Sequence, residues 1–138
     1  MSDARIERIG ELPIRSSEDV VRLRQAVRDC AVAAGMSLVD QTKIITAASE
    51  LGRNTLQYGG GGKVVVSTLA DGSRRGVRLE FLDEGPGIAD IERALTDGYT
   101  SGGGLGLGLG GAKRLSNEFS IDSAPGRGTR VMIARWKT

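Results

Sequence analysis

A glycine-rich run at residues 101–112 is the feature of this sequence with the clearest chemical meaning. Seven of the ten residues at 102–111 are glycine, whereas the whole chain of 138 residues contains 21. Glycine loses more backbone entropy on folding than other residues, and clusters of it commonly bring bare N–H groups close to phosphate. Leu105, Leu107 and Leu109 occupy alternate positions and need a surface to pack on. The run therefore predicts a phosphate-binding loop that leads into a helix.

Two common phosphate-binding motifs do not explain this run. A P-loop requires glycine, then lysine, then serine or threonine, and residues 111–114 do not supply that order. Gly106, Gly108 and Gly111 match the dinucleotide-binding pattern, but that pattern follows a strand, and residues 97–104 are not predicted to be one. A flexible linker is the remaining alternative for the run considered alone.

A second candidate site is the pair Glu50 and Asn54 on a predicted helix. A spacing of four residues places both side chains on the same face. A carboxylate and an amide placed in this way can hold a divalent cation and activate a nearby hydroxyl or water. A solvated helix face is the alternative for the pair in isolation.

The third and fourth candidates are short loops next to predicted strands. Asp83 ends an alternating strand, and Gly85 and Gly87 after it leave room for a flat group. An ionised carboxylate only accepts hydrogen bonds, so Asp83 suits the exocyclic amine of adenine and would repel the carbonyl of guanine. An ordinary turn is the alternative. Thr129, in the segment 126–129, opens the last strand, and its hydroxyl can assist at the base.

Composition excludes several classes of function. The chain has no histidine, which rules out a Ser-His-Asp triad, an imidazole base and a histidine-ligated metal. Its 19 basic and 17 acidic residues are well mixed, so there is no basic stripe for nucleic acid, and no apolar run is long enough for a membrane span. Cys30 is the single cysteine, which fits a cytoplasmic protein and a packing role in a helix. We expect one domain over residues 1–138.

Periodicity and turn residues predict the elements that position these sites. Ser16 or Ser17 and Ser37 are expected to cap two helices, and Asp71-Gly72 is expected to turn a hairpin. The predicted strands lie at residues 6–14, 63–70, 76–83, 118–123 and 129–136, and the predicted helices at 17–34, from 38 to before 59, at 88–95, and after the glycine run.

Taken in order, these four motifs resemble the Bergerat-fold (GHKL) ATP-binding family, over about residues 37–136. The resemblance implies an α+β two-layer sandwich in which helices cover one face of a mixed, mostly antiparallel sheet. It also implies that ATP and Mg²⁺ bind, with Asn54 holding magnesium, Glu50 acting as base, and Asp83 recognising adenine. The residues it assigns to nucleotide contacts are Asn54, Asp83, Gly85, Gly87, Gly104, Leu105, Gly106, Leu107, Gly108, Gly110 and Thr129.

Within that family the sequence is most similar to the free-standing bacterial serine/threonine kinases that regulate sigma factors by partner switching, the RsbT type. The chain is too short for the transducer domains of gyrase-like members, and it lacks a phosphorylatable histidine. Residues 50–59 and 104–115 carry the similarity, and Tyr58 departs from the RsbW type. Residues 96–104 are expected to form a mobile lid.

The resemblance implies a specific partner relationship. The kinase would phosphorylate a serine of a STAS-domain antagonist protein and then activate a PP2C-type phosphatase. Two alternatives use the same pocket: an anti-sigma factor or other nucleotide-dependent module that sequesters its partner without essential catalysis, and a plain ATPase.

Overall fold

The computed structural model describes residues 5–95 and 108–138. Within them no helix is both long and apolar enough to cross a membrane. The elements in chain order are β1 (Arg5–Ile14), α1 (Ser17–Ala33), α2 (Leu38–Gln57), β2 (Gly62–Asp71), β3 (Arg74–Asp83), α3 (Ile91–Ala94), α4 (Gly108–Arg114), β4 (Glu118–Ser123) and β5 (Thr129–Trp136).

The strands form one five-stranded sheet in the order β1-β2-β3-β5-β4. The α+β sandwich fold is confirmed, but all four strand pairings of the described residues are antiparallel rather than mixed. The connections explain this result. Tight turns join β2 to β3 and β4 to β5, and the helical pair between β1 and β2 returns the chain in the opposite direction.

Alternation along the strands places one face of the sheet against the helices. Val77, Leu79 and Phe81 on β3 are buried, whereas Arg78 and Glu80 between them lie on the opposite face. The buried side packs against apolar residues of the two long helices, namely Leu23, Val27, Ala31, Ile44, Ala48 and Leu51. The hydrophobic effect of this layer holds α2 against the sheet, and α2 carries Glu50 and Asn54.

The predicted helix starts are confirmed by the capping contacts. The side chain of Ser16 accepts a hydrogen bond from the N–H of Asp19, and that of Ser37 accepts one from Asp40. Gly35 follows α1 with φ of +77°, the left-handed conformation that favours glycine after a helix. Cys30 is partly buried against the core, as expected.

One helix is shorter than predicted. The sequence favoured a helix over residues 88–95, but α3 spans Ile91–Ala94. Asp90 explains the difference, because its carboxylate accepts a hydrogen bond from the N–H of Arg93 and thereby caps the helix at that point. The preceding residues form the loop after β3. The expected lid at residues 96–104 lies outside the described residues.

Candidate functional site

A cavity of about 690 Å³ lies between α2, the ends of β3 and β5, and the segment that contains α3 and α4. It brings together six of the residues that the sequence singled out: Glu50, Asn54, Asp83, Gly87, Gly108 and Thr129.

The remaining candidate residues lie elsewhere. The N–H of Gly85 donates a hydrogen bond to the Asp83 carboxylate, and Gly110 is a buried residue of α4. Gly104, Leu105, Gly106 and Leu107 lie outside the described residues.

Glu50 and Asn54 form one wall of the cavity. They lie one turn apart on α2, as the spacing predicted. The Glu50 side chain is only 13% exposed, and its Oε1 lies 3.2 Å from Nη1 of Arg53, whose side chain is 49% exposed. The backbone carbonyl of Asn54 accepts hydrogen bonds from the backbone N–H groups of Tyr58 and Gly59, and these bonds end α2. A carboxylate that is nearly buried therefore faces the cavity beside an amide.

Asp83 forms the opposite wall. Its Oδ1 accepts a hydrogen bond of 2.9 Å from the N–H of Gly85. Burial raises the pKa of this carboxyl group, and backbone N–H groups of Gly85 and Thr129 offset part of the increase. Asp83 therefore presents a partly desolvated acceptor to the cavity.

Two glycines make room for the Asp83 side chain. A Cβ added to Gly59 would overlap the Asp83 carboxylate, and one added to Gly85 would lie 2.7 Å from the Gly59 Cα. The sequence analysis placed the end of α2 before residue 59 and did not predict this role of Gly59. The repeated glycines were a signal of close backbone approach, but they did not indicate which side chain would fill the space.

Gly87 also has a packing role that the sequence analysis did not predict. Its φ is +79°, and a Cβ there would overlap the carbonyl oxygen of Ala124. A hydrogen bond of 2.8 Å from the N–H of Gly126 to the carbonyl of Pro86 joins the same two loops. Gly87 lines the cavity, but its missing side chain lets the loop after β3 pack against the loop before β5.

Thr129 faces Asp83 across neighbouring strands. Register pairs Asp83 of β3 with Thr129 of β5, and Thr129 in turn with Ser123 of β4. Thr129 Oγ1 lies 2.8 Å from Ser123 Oγ. A Cβ on Gly128 would overlap the carbonyl oxygen of Asp83, so glycine is required there for the two strand ends to meet. The Gly-x-Gly-Thr segment thus places a hydroxyl beside the partly buried Asp83 carboxylate.

The glycine-rich run is described only from residue 108. Gly108 has φ of +67° and begins α4, a helix of seven residues. Leu109, Gly110, Gly111 and Ala112 are buried, and α4 packs on α2. The glycines at 110 and 111 are thus inside the fold, whereas Gly108 and Leu109 reach the cavity.

The cavity also has a lining that the motifs did not reveal. Its apolar wall suits a flat aromatic base and contains Phe81, Ile88, Ala94, Leu109 and Val131. Two arginines, Arg53 and Arg93, add positive charge at the same cavity. The sequence motifs assigned neither these apolar residues nor the two arginines to the site.

The oxygen donors at the cavity suit magnesium rather than a metal held by protein ligands alone. Among the described residues no three acidic, cysteine or histidine side chains form a cluster able to hold a metal ion. Mg²⁺ usually takes one or two protein oxygens and completes its shell with water and phosphate oxygens. Asn54 and Glu50 supply oxygen ligands of that kind at one side of the cavity, so the residues fit a nucleotide-bound magnesium.

Known proteins are similar to this chain in sequence and in fold. Residues 39–138 match the family described as histidine kinase-, DNA gyrase B-, and HSP90-like ATPase. The serine/threonine-protein kinase RsbT of Bacillus subtilis is 42% identical over 123 residues, which cover 89% of this chain and 92% of that protein. An anti-sigma F factor from a Thermoanaerobacter species is 32% identical over 97 residues, covering 67% of this chain and 68% of that protein.

A solved structure agrees with the fold. The crystal structure of the RsbU and RsbW domains of a Mycobacterium tuberculosis protein superposes with a TM-score of 0.63 at 20% identity. The match covers 95% of this chain and 33% of that longer chain. Given the cavity at the ends of β3 and β5, the family match over residues 39–138 and the relatives above, this chain belongs to the histidine kinase-, DNA gyrase B-, and HSP90-like ATPase family.

Proposed function

We propose that this chain is a single-domain, ATP-dependent serine/threonine protein kinase. The observation that carries the proposal is the placement of Asp83 with Thr129 on one wall of a cavity and Glu50 with Asn54 on another. One pair suits recognition of a base and the other suits phosphoryl chemistry. The similarity to the RsbT kinase over 89% of the chain supports the same reaction class.

Adenine recognition is assigned to the wall at the sheet end. The Asp83 carboxylate accepts a hydrogen bond from an exocyclic amine, and the apolar lining formed by Phe81, Ile88 and Val131 contacts the flat ring. The phosphates are assigned to the glycine-rich run, of which Gly104, Leu105, Gly106 and Leu107 remain a prediction from sequence.

Glu50 is assigned as general base. Its carboxylate is nearly buried, and it lies beside the phosphate end of the proposed nucleotide site. Glu50 would accept the proton of a serine hydroxyl as that oxygen attacks the γ-phosphorus and ADP leaves. Phosphoryl transfer depends mainly on position and charge neutralisation, so this small set of residues suffices. Asn54 would hold Mg²⁺, which neutralises phosphate charge when bound.

The similarity to RsbT and to anti-sigma F factors supports our proposal for the partners. We assign the acceptor serine to a STAS-domain antagonist protein, and we assign activation of a PP2C-type phosphatase to the kinase released afterwards, in the cytoplasm. The anti-sigma F factors at 29–32% identity favour one second candidate, an anti-sigma factor whose main act is binding a sigma factor.

Transfer of labelled γ-phosphate from ATP to a purified STAS-domain protein tests the kinase assignment. We expect Glu50→Gln to reduce transfer roughly 10²–10⁴-fold, because a general base contributes that much, and to leave ATP affinity within about threefold. Glu18→Gln on α1 is the matched control and should keep full transfer, because that side chain is 84% exposed and does not line the cavity.

The same assay separates the alternatives. Full transfer by Glu50→Gln would contradict the base assignment. Release of phosphate without an acceptor would favour a plain ATPase, and nucleotide-dependent capture of a sigma factor without transfer would favour the anti-sigma factor.

A further inference from the structure

Ser123 is the centre of a small hydrogen-bond network behind the proposed base site. It is the last residue of β4, and its hydroxyl contacts two loop residues and the first residue of β5. The N–H of Ile88 donates to Ser123 Oγ at 2.8 Å, Ser123 Oγ donates to the carbonyl of Gly128 at 2.8 Å, and Thr129 Oγ1 lies at 2.8 Å.

The single proton of the Ser123 hydroxyl fixes the direction of its contact with Thr129. A serine hydroxyl has one proton and two lone pairs. The Gly128 carbonyl only accepts, so it takes the Ser123 proton, and the Ile88 N–H only donates, so it takes one lone pair. The remaining lone pair of Ser123 Oγ therefore accepts the proton of the Thr129 hydroxyl. Every group in the network is satisfied only with this arrangement.

This direction determines what Thr129 offers to a ligand. Its single proton points at Ser123, so the free side of Oγ1 carries lone pairs only. Asp83 lies beside it on the neighbouring strand, and its ionised carboxylate is also an acceptor. The two side chains together form an acceptor-only pair at the cavity wall.

We propose that Ser123 is a positioning residue that sets base specificity by holding the Thr129 hydroxyl as an acceptor. This inference rests on the proposed nucleotide site. An exocyclic amine has two N–H donors and can satisfy both acceptors, whereas a ring carbonyl would meet two acceptors and lose its hydrogen bonds to water. The pair therefore selects a 6-amino purine over a 6-oxo purine, and the selectivity depends on a residue that does not line the main cavity.

The test compares binding of MgATP and MgITP by calorimetry, because the ITP base carries a carbonyl in place of the amine. In Ser123→Ala the Thr129 hydroxyl loses its acceptor and can turn to donate to that carbonyl. We expect the ATP-to-ITP affinity ratio to fall roughly tenfold, mainly through tighter ITP binding. Ser123→Thr keeps the hydroxyl and should restore the wild-type ratio.

A matched control is available on the same strand. Ser120 pairs with Met132 on the opposite face of the sheet, and Ser120→Ala should leave the ratio unchanged. Thr129→Val removes the hydroxyl itself, so it should also lower the ATP-to-ITP affinity ratio. Adding Ser123→Ala to Thr129→Val should not change that ratio further.

Two results would overturn the proposal. One is an unchanged ATP-to-ITP affinity ratio in Ser123→Ala; if both affinities fall equally, Ser123 has only a structural role. The other is an unchanged ratio in Thr129→Val, which needs no folded Ser123 variant. Failure of the wild-type chain to bind either nucleotide would overturn the proposed function together with this inference.

Discussion

Two aspartates lie near opposite ends of the β3–β5 strand pair, and their carboxylates have different partners. Asp40, at the start of α2, meets Arg135 with Oδ1 at 2.8 Å from Nη2, and its Oδ2 accepts from the Thr138 hydroxyl at 2.7 Å. Asp83, at the other end, accepts from the Gly85 N–H. Arg135 pairs with Val77 in the sheet register and Thr129 with Asp83, so the two sites are a strand length apart.

The pKa values of the two carboxyl groups move in opposite directions. The Thr138 hydroxyl and the Arg135 guanidinium lower the pKa of Asp40 to about 2, against burial. Burial raises the pKa of Asp83. Asp40 serves the fold, because its charge is neutralised inside the protein, whereas Asp83 lines the cavity, and we propose that a ligand satisfies its charge.

Removing the partner of Asp40 should produce the largest effect. Arg135→Ala leaves a carboxylate buried without its cation, and we expect the free energy of unfolding to fall by about 3–5 kcal/mol. Urea denaturation at pH 7 measures this change. Arg130→Ala is the matched control on the same strand, because the Arg130 side chain is 40% exposed and pairs with Glu80 on the sheet face opposite the helices. Its loss should cost less than about 1 kcal/mol. Equal losses in the two variants would contradict the structural role of Asp40.

Neutralising Asp83 should act on binding rather than on folding. Asp83→Asn keeps the size of the side chain but exchanges an acceptor for a donor at the base. We expect ATP affinity to fall roughly 100-fold, or about 2.7 kcal/mol, when measured by calorimetry. The free energy of unfolding should stay the same or rise, because the variant removes a desolvated charge. Unchanged ATP affinity with lower stability would make Asp83 a second structural aspartate.

The sequence analysis singled out Asp83, the proposed binding aspartate, but not the structural Asp40. Asp83 was identified because glycines follow it at the end of an alternating strand, a local pattern. Asp40 and Arg135 are 95 residues apart, and their pairing depends on how α2 lies across the sheet. The caps at Ser16 and Ser37 and the hairpin after β2 were predictable for the same reason as Asp83, since short-range chemistry determines them.

Lateral contacts between strands were the part that sequence reasoning missed. Alternation predicts which face of a strand is buried, but it does not predict the register that places Ser123 beside Thr129. Likewise, the space that Gly59 leaves for the Asp83 side chain follows from the β2–β3 pairing and the end of α2. These contacts complete the candidate site, and they join residues from different parts of the chain.

The smallest predicted effect is a difference in the pH dependence of stability. Asp40 has a folded pKa of about 2 against an ordinary value of 3.8, so the unfolded state binds more protons between these values. Its contribution is present above about pH 4 and is lost as the pH falls towards 2.

Asp83 has a raised folded pKa, so its contribution to the free energy of unfolding instead decreases as the pH rises above 3.8. Urea titrations of wild type, Asp40→Asn and Asp83→Asn from about pH 2 to about pH 7 separate the two contributions. Asp40→Asn should reduce the loss of unfolding free energy at acidic pH by on the order of 1 kcal/mol. Asp83→Asn should make the free energy of unfolding rise more steeply with pH above about pH 4. Superimposable profiles for the two variants would contradict the opposite roles of the two carboxylates.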